Sequence, residues 1–107
     1  MHRATAHSDA FRAISDPTRR AILDRLRSGP VAVNGLAASF HQSRPAISKH
    51  LKVLRDAALV AEEKQGRERL YRLRPESLRD VAEWIEGYRR FWQTSLDNLK
   101  RYLEDEA

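Results

Sequence analysis

Residues 43–57 alternate apolar and polar positions with the period of an α-helix. On a helical wheel one arc is apolar and comprises Ala46, Ile47, Leu51, Val53, Leu54 and Ala57. The opposite arc is polar and comprises Arg44, Ser48, Lys49, Lys52 and Arg55. Ser43 suits the N-cap and Pro45 the first turn. The pattern predicts a helix with one face on a core and a second face that carries cations but no carboxylate before Asp56. An ordinary amphipathic surface helix is the alternative interpretation.

Three shorter helices are predicted before this one. A short apolar stripe in residues 9–14 indicates the first, and Asp16-Pro17 begins a second that Gly29-Pro30 ends. The third spans residues 33–40, and His41-Gln42 forms the turn into the helix at Ser43. Two helices joined in this way form a helix-turn-helix, whose second member enters the major groove of DNA. The spacing alone is a weak signal, because many helical proteins contain short helical hairpins.

The pattern changes to strand, turn and strand over residues 59–74. Gln65-Gly66 is the predicted turn, and Tyr71 and Leu73 are expected to face the core. Basic residues crowd the tip of the hairpin, namely Lys64, Arg67 and Arg69. We interpret residues 59–74 as a wing that contacts phosphates. The alternative is that a charged tip only protects an edge hairpin from aggregation.

Apolar residues then recur at helical spacing from Leu78 to Leu103, which predicts one helix roughly 39 Å long. A domain of this size has too little surface to cover such a helix. We therefore predict a homodimer. Its interface is predicted to contain Phe11, Leu78, Trp84, Ile85, Tyr88, Trp92, Leu96 and Leu99. The alternative is that these side chains pack on the first helix of their own chain.

The length of 107 residues suits a single domain. The predicted fold is mainly α with a small β-hairpin (α+β): residues 9–75 form the core and wing, residues 76–105 the dimerisation helix, and residues 1–7 a loose arm. The absence of cysteine excludes disulfides and thiolate metal sites and fits a reducing cytoplasm, which is the predicted location. No signal peptide and no apolar run of about 18 residues is visible, so no membrane partner is expected.

The formal net charge is +5, and basic residues outnumber acidic ones in residues 1–56 but not in residues 57–107. A polarised basic domain suits a nucleic-acid partner. The alternative is that so modest an excess of basic residues only keeps the protein soluble.

Three stretches carry a family resemblance: residues 13–23 (AISDPTRRAIL), residues 44–60 (RPAISKHLKVLRDAALV) and the turn Gly66-Arg67. In this order they resemble the ArsR-type winged helix-turn-helix transcriptional repressors. The resemblance implies a homodimer that binds a palindromic operator and blocks transcription. It also implies the element order of helix, helix, helix-turn-recognition helix, wing and dimer helix.

The chain departs from the metal-sensing members of that family, which use cysteines near the third helix or Asp/His sets on the last helix. Residues 31–36 contain no thiol, and the predicted last helix contains no histidine. The chain resembles the branch without these metal sites, so no metal site and no cofactor are predicted. A small-molecule inducer of unknown identity remains open.

Our hypothesis places the helix of residues 43–57 in the major groove of double-stranded DNA. The predicted DNA-binding residues are Gln42, Ser43, Arg44, Ser48, Lys49, Lys52, Lys64, Arg67 and Arg69. Arg44 suits a guanine edge or a phosphate, and the wing cations suit phosphates. His50 falls within the apolar arc and is interpreted as a partly buried packing residue.

Two other classes of protein are alternatives to DNA binding. A protein-interaction module would use the long aromatic helix, with its basic half on an acidic protein. An enzyme is not predicted, because Ser48, His50 and Asp56 lie on one helix and point apart, so they cannot form a nucleophile, base and orienting group.

Overall fold

The computed structural model describes residues 9–106, so the predicted arm at residues 1–7 lies outside it. The described residues form five helices and a small antiparallel sheet. The helices are α1 (residues 9–13), α2 (Pro17–Leu26), α3 (Val33–Phe40), α4 (Arg44–Asp56) and α5 (Arg79–Glu106). The strands are β1 (Val31–Ala32), β2 (Val60–Gln65) and β3 (Glu68–Leu73), and a 3₁₀ turn, Pro75–Leu78, leads into α5. The predicted α+β architecture is confirmed.

The N-terminus of α2 begins where the sequence predicts, because Asp16 caps it. The backbone N–H of Arg19 donates to Asp16 Oδ2 at 3.0 Å. This hydrogen bond is the main reason that the pKa of Asp16 lies below its usual value. The Arg19 side chain reaches back to α1, where its Nε donates to the carbonyl oxygen of Ala13 at 2.7 Å. The capped start of α2 therefore also holds the end of α1.

The core lies between α2, α3, α4 and the sheet. Its largest fully buried side chains are Ile22, Leu36, Ile47, Leu51, Leu54, Leu59 and Val60. Three of them come from the predicted apolar arc of α4, so that arc is confirmed as the face that packs inward. Burial of these aliphatic side chains fixes the orientation of α4, whose opposite face then points away from the domain.

The sheet order is β1-β3-β2, with β2 and β3 forming the predicted hairpin. Their register runs from Val60 opposite Leu73 to Gln65 opposite Glu68, so the turn is Gly66-Arg67. The turn predicted from the strand pattern, Gln65-Gly66, was wrong by one residue, whereas the turn Gly66-Arg67 that carries the family resemblance is the one observed. Gly66 has a φ of +61°, and glycine is favoured at the first central position of a two-residue hairpin turn for this reason.

Strand β1 was not predicted from the sequence. Its two residues pair with Tyr71 and Leu70 of β3. A two-residue strand carries no periodicity of its own, so only the tertiary pairing reveals it. Tyr71 is buried and Leu73 half-buried, as predicted for the core side of the hairpin.

Helix α5 is the longest element, with 28 residues and a length of about 42 Å. Among its residues Val81 is buried, whereas residues 82–106 are all exposed in the single chain. This confirms that the domain cannot cover the helix by itself. No helix within residues 9–106 combines the length and apolar character needed to cross a membrane.

Candidate nucleic-acid interface

Helix α4 begins at a capped turn, as the sequence predicts. The hydroxyl of Ser43 accepts a hydrogen bond from the backbone N–H of Ala46 at 3.2 Å, and Pro45 lies in the first turn. The preceding turn contains His41 in a left-handed conformation, with a φ of 52°. This tight turn, followed by the cap, sets the direction in which α4 leaves α3.

The polar face of α4 exposes Arg44, Ser48 and Lys49. Within residues 9–106 none of the three side chains has a hydrogen bond or ion pair. The last two cations of the face, by contrast, are already paired. Lys52 Nζ lies 2.8 Å from Asp56 Oδ2, and Arg55 pairs with Glu62 of β2. The first half of α4 is therefore the part best able to accept an external anion.

Gln42 and His50 attach α4 to α2. The side-chain amide nitrogen of Gln42 donates to Thr18 Oγ1 at 3.3 Å, which the sequence analysis did not foresee. His50 is half-buried, as predicted, and its Nδ1 lies 3.4 Å from Nη1 of Arg19 and 3.9 Å from Oδ2 of Asp16. These contacts hold the buried side of the helix and leave its polar face unobstructed.

The wing hairpin carries cations of two kinds. Lys64 and Arg67 are exposed, without a hydrogen bond or ion pair inside the described chain. Arg69 instead pairs with Glu62 at 3.3 Å, and Arg72 pairs with Glu63 at 3.0 Å. Lys64 and Arg67 are therefore the wing cations free to meet an external anion, with the exposed carboxylate of Glu68 beside them at the tip.

Glu62 is a contact centre that the sequence analysis missed. Its carboxylate pairs with Arg55 of α4 and with Arg69 of β3, and it accepts a hydrogen bond from the Tyr71 hydroxyl at 3.3 Å. Burial first, and then the nearby charge of Glu62, raises the pKa of the Tyr71 hydroxyl. The carboxylate thereby ties the end of α4 to the wing. Its partners lie on other elements of the chain, so the order of residues along the strand gives no signal for them.

The start of α4 and the wing meet at a cavity of about 130 Å³. Arg44 lines it together with Arg67 and Arg69 of the wing and with residues 32–34 at the start of α3. Glu68 is the one carboxylate in this lining. The fold thus brings three of the predicted DNA-binding arginines, from two separate elements, to one place on the surface.

The predicted dimer face forms a continuous stripe on α5. The exposed large apolar residues are Trp84, Ile85, Tyr88, Phe91, Trp92, Leu96, Leu99, Tyr102 and Leu103. Phe11 of α1 meets the edge of Trp84 at a centroid distance of 5.6 Å, yet Trp84 remains 57% exposed. The first helix therefore covers only part of the stripe. Leu78 is half-buried and packs on its own core, so it offers less surface than the other predicted interface residues.

No group of three or more His, Cys, Asp or Glu side chains suited to a metal ion occurs in the part of the chain that the structure describes. The arrangement at α4 and the wing is a cationic surface on a buried apolar base. Such a surface suits a polyanion more than a small substrate.

The chain is similar in sequence to known regulators of transcription. The family described as "Bacterial regulatory protein, arsR family" matches residues 16–62. The HTH-type transcriptional regulator Rv2034 of Mycobacterium tuberculosis is 41% identical over 92% of this chain and 89% of its own. The transcriptional repressor SdpR of Bacillus subtilis is 38% identical over 73% of this chain and 87% of its own.

A solved structure of similar size shows the same fold. The ArsR-like transcriptional regulator from Rhodococcus sp. RHA1 is 33% identical, covers 94% of this chain and 95% of its own, and superposes with a TM-score of 0.71. These proteins are regulators of transcription rather than enzymes, which agrees with the sequence analysis. The chain belongs to the ArsR family of bacterial regulatory proteins and is a winged helix-turn-helix, DNA-binding transcriptional regulator.

Proposed function

We propose that this protein is a homodimeric repressor that binds an inverted-repeat operator through α4 and the wing hairpin. The observation that carries the proposal is the contrast between the two faces of α4. One face is fully buried at Ile47, Leu51 and Leu54, whereas the other exposes unpaired Arg44 and Lys49. A recognition helix needs this arrangement, because its base must be rigid while its outer side chains reach the groove.

Each predicted DNA-binding residue has a role that fits its surroundings. Arg44, Ser48 and Lys49 are free to reach base edges or backbone, and Lys64 and Arg67 to reach phosphates. Ser43 retains its hydroxyl hydrogen as a donor, and Gln42 retains its carbonyl oxygen as an acceptor.

Lys52 and Arg69 must release an internal carboxylate before they bind a phosphate. We therefore assign them a smaller share of the affinity than Arg44, Lys49 and Arg67.

The homodimer is supported by the stripe on α5. An exposed apolar surface of this extent is unfavourable in water, and a second copy offers the same surface in a self-complementary form. Trp84, Tyr88 and Trp92 form a row with centroid distances of 5.0 and 6.4 Å, which gives the interface a rigid aromatic centre. Two copies present their α4 helices to successive major grooves when those helices lie about 34–36 Å apart.

The experiment is a mobility-shift titration with the DNA upstream of the protein's own gene. Arg44→Ala and Lys49→Ala are expected to weaken binding at least tenfold and to leave the dimer intact by sedimentation. Arg25→Ala is the matched control, because Arg25 is an exposed and unpaired arginine on α2, away from this surface. Equal affinity for all four proteins would contradict the proposal.

The relatives give no support to the alternative of a general protein-interaction module, and a second copy of this chain accounts for the exposed stripe on α5. A small-molecule inducer stays a prediction of the family resemblance.

A further inference from the structure

A groove of about 440 Å³ lies beside the start of α5, apart from the DNA-binding residues. Its lining comprises Ile14, Arg20, Leu23, Asp24, Arg27, Leu73, Pro75 and Leu78. Leu23 is buried, and Leu73 and Leu78 are half-buried, so these side chains form an apolar floor. Arg20, Asp24 and Arg27 are exposed and form a polar rim.

The rim carries a net positive charge and has unused donors. One guanidinium nitrogen of Arg20 donates to the carbonyl oxygen of Ile14 at 2.9 Å, which leaves the remaining N–H groups open. Arg27 and Asp24 have no side-chain hydrogen bond or ion pair within residues 9–106. Two arginines against one carboxylate favour an occupant that is apolar on one side and anionic on the other.

The last turn of α5 has this composition. Tyr102 and Leu103 are 61% and 58% exposed, and Glu104, Asp105 and Glu106 follow them. None of the three carboxylates has an ion-pair partner in the described part of the chain. They also lie at the negative end of the helix dipole, where carboxylates are unfavourable and cations are preferred. An isolated α5 is therefore destabilised by its own last turn, and external cations would remove that penalty.

We infer that the groove receives the last turn of α5 from a second copy of this chain. The inference rests on the proposed homodimer. In the antiparallel register that pairs the exposed stripe from end to end, Leu103 of one copy lies opposite Trp84 of the other. The three carboxylates that follow then run past Trp84 toward Leu78 and the groove.

Parallel pairing would instead set the two acidic ends against each other. Antiparallel pairing still brings the carboxylates near Glu83, which is exposed on the first turns of α5. They gain attractive contacts by turning toward Arg20 and Arg27 at the groove, beside Arg79 on the first turn of α5, which is also exposed. The contact thus selects one direction and one register for the dimer helices, and the proposed DNA-binding surfaces keep a fixed separation.

The test is a charge exchange measured by the dimer dissociation constant in sedimentation equilibrium at low salt. Arg20→Glu combined with Arg27→Glu is expected to weaken the dimer about ten- to thirtyfold, since two-fold symmetry counts each lost ion pair twice. Adding Glu104→Arg and Glu106→Arg to the same chain should restore most of the loss. Arg25→Glu is the matched control on the same helix and should leave the constant within about twofold. Circular dichroism melting would show that each variant is folded.

A second measurement uses the absence of native cysteine. The double substitution Arg27→Cys with Asp105→Cys should form disulfide-linked dimers on mild oxidation. Arg25→Cys with Asp105→Cys should stay largely unlinked.

Each outcome distinguishes this inference from the proposed function. If the wild-type protein is a dimer and Arg20→Glu with Arg27→Glu leaves its dissociation constant unchanged, the inference is overturned and the homodimer stands. A monomeric wild-type protein would overturn both. Decanoate, an apolar chain with one carboxylate, is a probe for an open groove. If it binds the wild-type dimer and this binding is lost in Arg20→Glu with Arg27→Glu, the groove is open in the dimer and the inference is overturned.

Discussion

Removal of a single unpaired cation at the wing tip should change how DNA affinity depends on salt. Arg67 lies in the hairpin turn, is exposed and has no ion pair among the described residues. A phosphate contact releases condensed counterions, so each such contact adds about 0.9 to the slope of log K against log[salt]. Arg67→Ala removes one contact from each copy of the proposed dimer. The slope should therefore fall by about 1.8.

The size of this effect is measurable. Between 50 and 200 mM salt, a slope difference of 1.8 means that the affinity of Arg67→Ala falls about twelvefold less than the affinity of the wild-type protein. Fluorescence anisotropy with a labelled duplex from upstream of the protein's own gene would give the slope. A scrambled duplex of equal length should show the same change, because phosphate contacts carry no sequence information.

The matched control is Arg72→Ala. It removes the same charge from the same hairpin, but Arg72 is held by Glu63 at 3.0 Å. Loss of a cation that is internally paired should leave the slope nearly unchanged. If the two variants gave equal slopes, the distinction between free and paired wing cations would be refuted, and the effect of Arg67 would be one of net charge alone.

Three further predictions concern stability. Ala58→Gly should stabilise the fold by about 0.5–1 kcal/mol in urea unfolding, because Ala58 has a φ of 59°, which costs an L-residue more than glycine; a destabilised variant would refute this. Leu51→Ala should destabilise it by about 2–5 kcal/mol in the same assay, since Leu51 is fully buried in the core, and a loss below 1 kcal/mol would count against that packing. Because the folded-state pKa of Asp16 is lowered, its stabilising effect is present above the usual pKa of an aspartate and is lost as the pH falls through the lower folded-state pKa. Asp16→Asn should therefore flatten the acid limb of the stability curve, whereas an unchanged limb would show that the cap does not titrate with folding.

The sequence predicted the elements whose residues specify them locally. Helix α4 was predicted from its apolar arc and from Ser43 and Pro45, and its buried and exposed faces are those of the structure. Helix α5 was predicted from an apolar repeat that its own domain cannot cover. In each case the spacing of apolar residues along the chain indicates which face of the helix packs against other residues.

The features that sequence reasoning missed depend on contacts between distant residues. Strand β1 exists only because β3 pairs with it, and Glu62 is a centre only because Arg55 and Arg69 converge on it from two elements. The side-chain amide of Gln42 donates a hydrogen bond to Thr18, which is 24 positions away in the chain. Neither a propensity nor a period specifies such partners, so they appear only once the chain is folded.

The sequence also does not specify which basic residues are paired with a carboxylate and which are free. From the sequence, Arg67 and Arg69 are equivalent cations at the wing tip, and Lys52 is expected farther along α4, on the DNA backbone or an acidic partner. In the structure Lys52 and Arg69 are held by Asp56 and Glu62, while Arg67 has no such partner. The difference decides which cations a polyanion meets first, and it follows from the geometry of their neighbours.

The most direct test is sedimentation velocity of the purified protein, alone and with a labelled duplex from upstream of its own gene, at low salt. The account predicts a dimer in the absence of DNA and a complex of two copies per duplex. A protein that sediments as a monomer, and leaves the duplex unshifted, would contradict it.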